Sequence, residues 1–282
     1  MTDARCSDLS RAADEPIGAT ATTARRWLLV EVGGGWPRDV SSSDALPDAA
    51  RAAVESWLGT TPGSRLLFVR RPGRSVNQAL AFVIDADEGE ARVRRIELDG
   101  LDALADAVLD TDGEEVAGGL VLVCGHGSRD ACCAVRGTAV YGALARGLGE
   151  EQLWLSSHQG GHRFAANVLV LPAGVQLGRV EPDDAPGVVA RALAGTIELD
   201  HYRGRTFYPA AVQAAERAVR EAAGLSGVDD LKLLDVDRAR VRFRATDGRE
   251  LAAVVEEVPG PTVPASCGDE PVSQKRLAAT AA

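Results

Sequence analysis

Four side chains in two short clusters carry the chemistry of this chain. Cys124 and Cys133 stand as C-x8-C in CGHGSRDACC, and His158 and His162 as H-x3-H in HQGGH. Thiolate sulfur and neutral imidazole nitrogen are the donors that soft and borderline metals select. A lone cysteine closing a strand is a small buried hydrophobe more often than a ligand. Here, however, the chain has only four histidines, and His126, His158 and His162 all fall in this one stretch. That concentration makes metal ligation the better reading.

The donor set narrows the centre without fixing it. A mononuclear zinc site of two cysteines and two histidines is chemically sound, although the short C-x2-4-C spacing of common zinc modules is absent. A metalloprotease H-E-x-x-H box fails, because Gln159 replaces the base and Gly160 and Gly161 weaken the helix that the box needs. Cys124-Gly-His126 imitates half of a Rieske box, but no second box follows. A dithiol redox site has no C-x-x-C to work with. Around the four candidates, His126, Arg129, Asp130, Gly160 and Gly161 are expected to support the ligands, the glycines by letting backbone approach the centre. Cys132, turned about 100° from Cys133 on a helix, reads as a packed thiol. Cys6 and Cys267 read as free thiols, and His201 with its basic neighbours as a solvated loop.

Placing these residues requires an alternation of strands and helices. Residues 1–24 read as extended or loosely packed chain. RWLLVEV, RLLFVRR, ALAFVID and ARVRRIEL read as strands, with a helix over 43–58, capped by Asp44 or Ser43, between the first two and a short amphipathic one over 99–110. The pattern recurs: GLVLVC as a strand delivering Cys124, a helix within 129–148, QLWLSS leading into HQGGH, the hairpin NVLVLP–VQLGRV, and a helix over 185–195. Each half reads β-α-β-β-β-α, which suggests two related units, the first without ligands. A helix over 209–224, opened by Pro209 and closed by Gly224, precedes a three-stranded meander. The expected fold class is α/β (α+β). The divisions are 1–110, 111–205 for the ligand-bearing unit, 206–258 for the helix and meander, and a mobile tail at 259–282.

Composition sets outer limits. The 282 residues hold 41 acidic and 31 basic side chains, a net charge of −10, which argues against a nucleic-acid partner. The polar N-terminus lacks an apolar signal region and no stretch is long enough to span a bilayer, so no membrane association and a cytoplasmic location are expected. Five cysteines in a reducing compartment argue for metal or redox chemistry rather than a disulfide framework.

The blocks CGHGSRDACCAVRG and SSHQGGHRFAANVLVLPAG, together with CSDLSRAADEPIGATA, FVRRPGR, HYRGRTFYP and SCGDEP, resemble the sucrase/ferredoxin-like family. The resemblance implies a thioredoxin-like ferredoxin domain and a [2Fe–2S] cluster, with Cys124 and Cys133 on one iron and His158 and His162 on the other. It further implies a soluble electron carrier rather than a stand-alone enzyme, with a pH-dependent potential because histidine ligands can exchange protons. No G-x-G-x-x-G follows a strand, so the expected partners are a separate reductase and an electron acceptor. A zinc-stabilised module and a thiol redox protein are the alternatives.

Overall fold

A computed structural model describes residues 4–41, 44–73 and 78–282. A helix α1 (Cys6–Ala12) precedes strand β1 (Arg26–Glu31), helix α2 (Asp48–Thr60) and strands β2 (Ser64–Arg70), β3 (Ala79–Asp85) and β4 (Arg92–Leu98). After a 3-10 turn (Leu101–Ala105) and the two-residue β5 (Glu114–Glu115), the alternation resumes with β6 (Leu120–Cys124), α3 (Ala131–Leu144) and β7 (Leu153–Ser156). A second 3-10 turn (His162–Phe164) leads to β8 (Val168–Leu171), β9 (Val175–Leu177) and α4 (Ala185–Leu193). β10 (Tyr202–Arg205) and α5 (Ala210–Ala223) follow, then β11 (Leu231–Asp237), β12 (Arg240–Ala245), β13 (Glu250–Val263) and β14 (Val272–Ala281).

The first ten strands form one sheet in the order β10-β9-β8-β6-β7-β2-β1-β3-β4-β5. In each half a strand pairs parallel with the one that follows its crossover helix (β1 with β2, β6 with β7). On its other side it pairs antiparallel with the next (β1 with β3, β6 with β8). The halves therefore share one topology, β2-β1-β3-β4 and β7-β6-β8-β9. They meet through a short antiparallel seam, Val69 opposite Ser156 and Arg70 opposite Leu155. The sheet runs unbroken past the expected division at 110/111, and β5, beyond it, pairs with β4 of the first unit.

Alternation along the strands divides the interior into two layers, as strand geometry requires. Leu28 and Val30, with Val121 and Val123, pack on one face with Val54 of α2, Val140 of α3 and Val189 of α4. Trp27, Leu29, Leu122 and Trp154 pack on the other, against Val212 and Val219 of α5 and Phe243 of the second sheet. Because both faces are covered, the central strands are continuous apolar runs rather than half-polar ones.

Several expectations are corrected. The segment before residue 24 contains α1 rather than loose chain. The helix expected over 43–58 begins at Asp48 with Pro47 as its cap, so Asp44 does not cap it, and Ser43 lies outside the described residues. Only a 3-10 turn forms within 99–110. HYRGR holds β10, not a solvated loop. The tail expected to be mobile from 259 onward completes β13 and forms β14, making the meander a four-stranded sheet. Pro259 and Pro261 stand in the part of β13 that β12 does not reach, where a missing N–H costs nothing on that side.

Candidate metal centre

The parallel pair β6–β7 ends at one edge of the sheet, and both donor clusters leave from there. Cys124 is the last residue of β6 and is buried. Cys133 lies in the first turn of α3, whose N-terminus favours a thiolate electrostatically. Gly137, one turn further on, lies so close to the strand that a Cβ there would stand 1.9 Å from the carbonyl oxygen of Cys124. This glycine lets α3 press onto the strand end, and Cys133, at i−4 on the same helix face, is thereby carried to Cys124.

The Sγ atoms of Cys124 and Cys133 and a ring nitrogen of His158 all lie within 4.8 Å of one another. The Cys133 Sγ to His158 Nδ1 distance is 4.0 Å. The hydrogen bond from Cys133 holds the Cys124 thiol well below its ordinary range, and the same bond pushes Cys133 well above it. One thiol of the pair thus ionises readily, and the second ionises when a cation joins them. His162 is adjacent, its ring centroid 4.9 Å from that of His158. It is buried, its Nδ1 has no hydrogen-bond partner among the described residues, and burial holds its pKa below the ordinary value. An unpartnered buried nitrogen beside two thiols and a second imidazole is what a metal ligand looks like without its metal. The two thiols and two imidazoles fit a thiophilic centre.

His126 orients this group. Its Nε2–H donates to the Pro37 carbonyl at 2.8 Å, and its Nδ1 accepts the His158 backbone N–H at 3.1 Å. A protonated ring could not accept that N–H, and burial lowers the His126 pKa in keeping with a neutral ring. The half-buried Arg65 donates to the His158 carbonyl at 3.0 Å. Arg129 has no side-chain hydrogen bond to the thiols among the described residues. It lines, with Arg38, Arg65, His126 and His158, a cavity of about 510 Å³ that opens onto the exposed side of His158.

Other expected supports act differently. Gly160 and Gly161 have φ of +91° and +69°, and a side chain on either would collide with Thr22 or with the Arg203 guanidinium. They admit these two residues rather than the centre itself. Asp130 turns away from Cys124 and Cys133. It caps α3 by accepting the Cys132 N–H at 2.8 Å and faces Cys6, Cys132 and Cys267 instead. Its burial would raise its pKa, but the N–H groups of Cys267 and Cys132 and the Ser266 hydroxyl outweigh this and hold it down at about 2. Cys132 is a packed thiol and Cys6 and Cys267 are free thiols, and the three gather in a second cluster.

Sequence reasoning missed Arg203 altogether. It is 1% exposed and donates to the Gly160 carbonyl at 3.0 Å and the Asn167 Oδ1 at 2.8 Å, tying the HQGGH loop to β10. Burial lowers its pKa to about 9. The only sequence signal was its place two residues after His201 in a basic run.

No helix among the described residues is long and apolar enough to cross a membrane. A model of the sucrase/ferredoxin-like family matches residues 17–204. Among curated proteins, "Altered inheritance of mitochondria protein 32" of Meyerozyma guilliermondii is 35% identical over 106 residues, covering 34% of this chain and 38% of the relative. The protein of that name from Clavispora lusitaniae is 37% identical over 95 residues, 31% of this chain and 35% of the relative. That from Debaryomyces hansenii is 30% identical over 106 residues, 34% of this chain and 39% of the relative. The chain thus spans little more than a third of the curated relatives it matches. These relatives correct the functional expectation: they are named for mitochondrial inheritance, not electron transfer, and the soluble [2Fe–2S] electron carrier with a proton-coupled potential is withdrawn.

Proposed function

Since the chain belongs to the sucrase/ferredoxin-like family, we propose that it is a metal-binding protein whose centre is held by Cys124, Cys133, His158 and His162. One observation carries this reading. Three donors from a strand end, a helix start and a loop, 34 residues apart at the extremes, lie within 4.8 Å of one another beside a second imidazole, His162, with an unpartnered nitrogen. Packing alone gives no reason for polar atoms to gather so.

In such a site the thiolates supply charge and softness, and the imidazoles supply neutral nitrogen. His126 fixes the loop that carries His158, and Gly137 fixes the approach of Cys133. Cys124, Cys133 and His162 are shielded from water, whereas His158 faces the arginine-lined cavity, where a small anion or a partner side chain could reach it. The relatives' name speaks of mitochondria, not of the cytoplasm expected from the N-terminus.

Metal and acid-labile sulfide analysis of chain purified without oxygen tests the reading. The unaltered chain should hold one metal centre more than a Cys124→Ser/Cys133→Ser variant that keeps its near-UV circular dichroism. Sulfide accompanying the metal would identify the [2Fe–2S] cluster, and metal without sulfide a single ion. A native chain free of metal, or a variant with unchanged metal at these ligands, would remove the proposal.

A further inference from the structure

Cys132 neighbours Cys133 but points into a different group. Its Sγ lies 3.5 Å from that of Cys6 and 3.3 Å from that of Cys267, and the Cys6 and Cys267 sulfurs are 3.6 Å apart. Asp130 Oδ1 is 3.8 Å from Cys6 Sγ and 3.3 Å from Cys267 Sγ. All four side chains offer one donor atom within 4.8 Å of the others. Cys6 and Cys132 are wholly buried, Asp130 is 4% exposed, and Cys267 is partly exposed.

These spacings are those of a tetrahedron around one ion. With metal–sulfur bonds of about 2.3 Å and metal–oxygen bonds of about 2.0–2.2 Å, tetrahedral angles put sulfurs about 3.8 Å apart and sulfur about 3.5 Å from oxygen. A disulfide would need about 2.05 Å and would leave the third thiol stranded. The oxygen is already prepared as an anion: Oδ2 of Asp130 accepts the Cys267 N–H at 2.8 Å and the Ser266 hydroxyl at 2.9 Å, which leaves Oδ1 turned toward the sulfurs. Among the described residues no Lys or Arg pairs with this carboxylate. The nearest basic group is His162 Nε2, 3.9 Å away. A buried anion ringed by three ionisable thiols lacks only a cation.

We propose that Cys6, Cys132, Cys267 and Asp130 form a second, structural metal site that takes zinc. A closed four-donor set rich in thiolate is the pattern of structural zinc, with no open position for chemistry. Its place in the chain gives it a purpose. Cys6 opens α1 and Cys267 lies between β13 and β14, so two residues 261 apart in sequence are fastened to the first turn of α3. Both lie outside residues 17–204, the stretch that the family model matches. Adjacent cysteines thus serve two centres: Cys133 serves the one at the strand ends, and Cys132 the clamp on both chain ends. Asp130 touches His162, so the clamp also forms one wall of the first centre.

The test uses the full chain carrying Cys124→Ser and Cys133→Ser, which disables the first centre and leaves three cysteines. This chain should retain one zinc. Cobalt(II) in its place should show thiolate-to-cobalt charge transfer and the intense visible bands of a tetrahedral site. Adding Cys267→Ser should abolish both. The three thiols should resist a maleimide until a strong chelator is added, then all react. In case the substituted chains fold poorly, native mass spectrometry of the unaltered chain should show one zinc besides the occupant of the first centre. An unaltered chain without that zinc overturns the proposal. So does zinc retained after Cys267→Ser, a disulfide within the trio, or thiol reactivity indifferent to chelator. None of these results depends on what occupies the first centre.

Discussion

At the carboxyl end of β6 the chain places a thiol, Cys124; at the corresponding end of β1 it places a carboxylate, Glu31, equally buried. After β7 an imidazole, His158, approaches Cys124; after β2 a guanidinium, Arg71, approaches Glu31 at 3.7 Å. Arg71 also stacks over Trp154, 4.3 Å from its ring, and meets Glu151 at 3.0 Å. The two units thus share strand order, crossover and polarity but differ in what closes their strand ends. The first neutralises itself with an internal ion pair. The second gathers thiols and imidazoles whose charge and lone pairs call for something supplied from outside. A shared topology offers the position, and the residue type at the last strand position decides whether it becomes a site.

The largest effect that would break this comparison is at the ligands. Cys124→Ser with Cys133→Ser should remove the metal of the first centre and with it a binding free energy of about 10 kcal/mol or more, judged by structural thiolate sites; calorimetric titration of metal into apo chain, in which one binding event should be lost, checks it. No substitution at Glu31 or Arg71 should alter metal content. Next, Arg71→Ala leaves Glu31 buried without its guanidinium and should cost about 3–5 kcal/mol of folding stability at neutral pH, by denaturant unfolding. The loss should shrink in acid, where Glu31 can take a proton. His126→Ala frees the His158 backbone and should weaken metal affinity about 10- to 100-fold, as losing an orienting partner does. Competition against a calibrated chelator would read it, and unchanged affinity would strip His126 of its role.

The smallest effect concerns pH. Burial raises the Glu31 carboxyl above its ordinary 4.5, against the lowering by Arg71. A raised folded-state pKa means that the folded chain binds the proton more tightly than the unfolded chain. Its stabilising share is full below the unfolded value and is lost as pH rises through the folded one. Glu31→Gln should therefore flatten the decline in unfolding free energy over that rise. Parallel slopes for the two chains would show that Glu31 does not titrate there.

Much of this molecule is written in local pattern. Apolar runs gave β1 to β3 and β6 to β9 because strands covered on both faces are continuously hydrophobic, alternation gave the one-sided β4, and Pro209 with Gly224 marked α5. The histidine concentration around Cys124 pointed to the candidate centre. What local pattern could not give was whatever depends on a distant partner. β14 reads as an Ala-rich polar tail and becomes a strand only because β13 offers it hydrogen bonds. HYRGR reads as a solvated loop and becomes β10, with Arg203 buried, because the edge of β9 and the HQGGH loop receive it.

The cysteines draw the line most sharply. Residue type and the C-x8-C and H-x3-H spacings singled out four side chains within 39 residues of one another, of which Cys124, Cys133 and His158 meet and His162 stands beside His158. Cys6, Cys132 and Cys267 carry no such spacing. Their meeting was decided by the packing of α1 and of the β13–β14 connection against the start of α3. Contact between residues 261 apart is a property of the folded surface, and no periodicity in the chain encodes it.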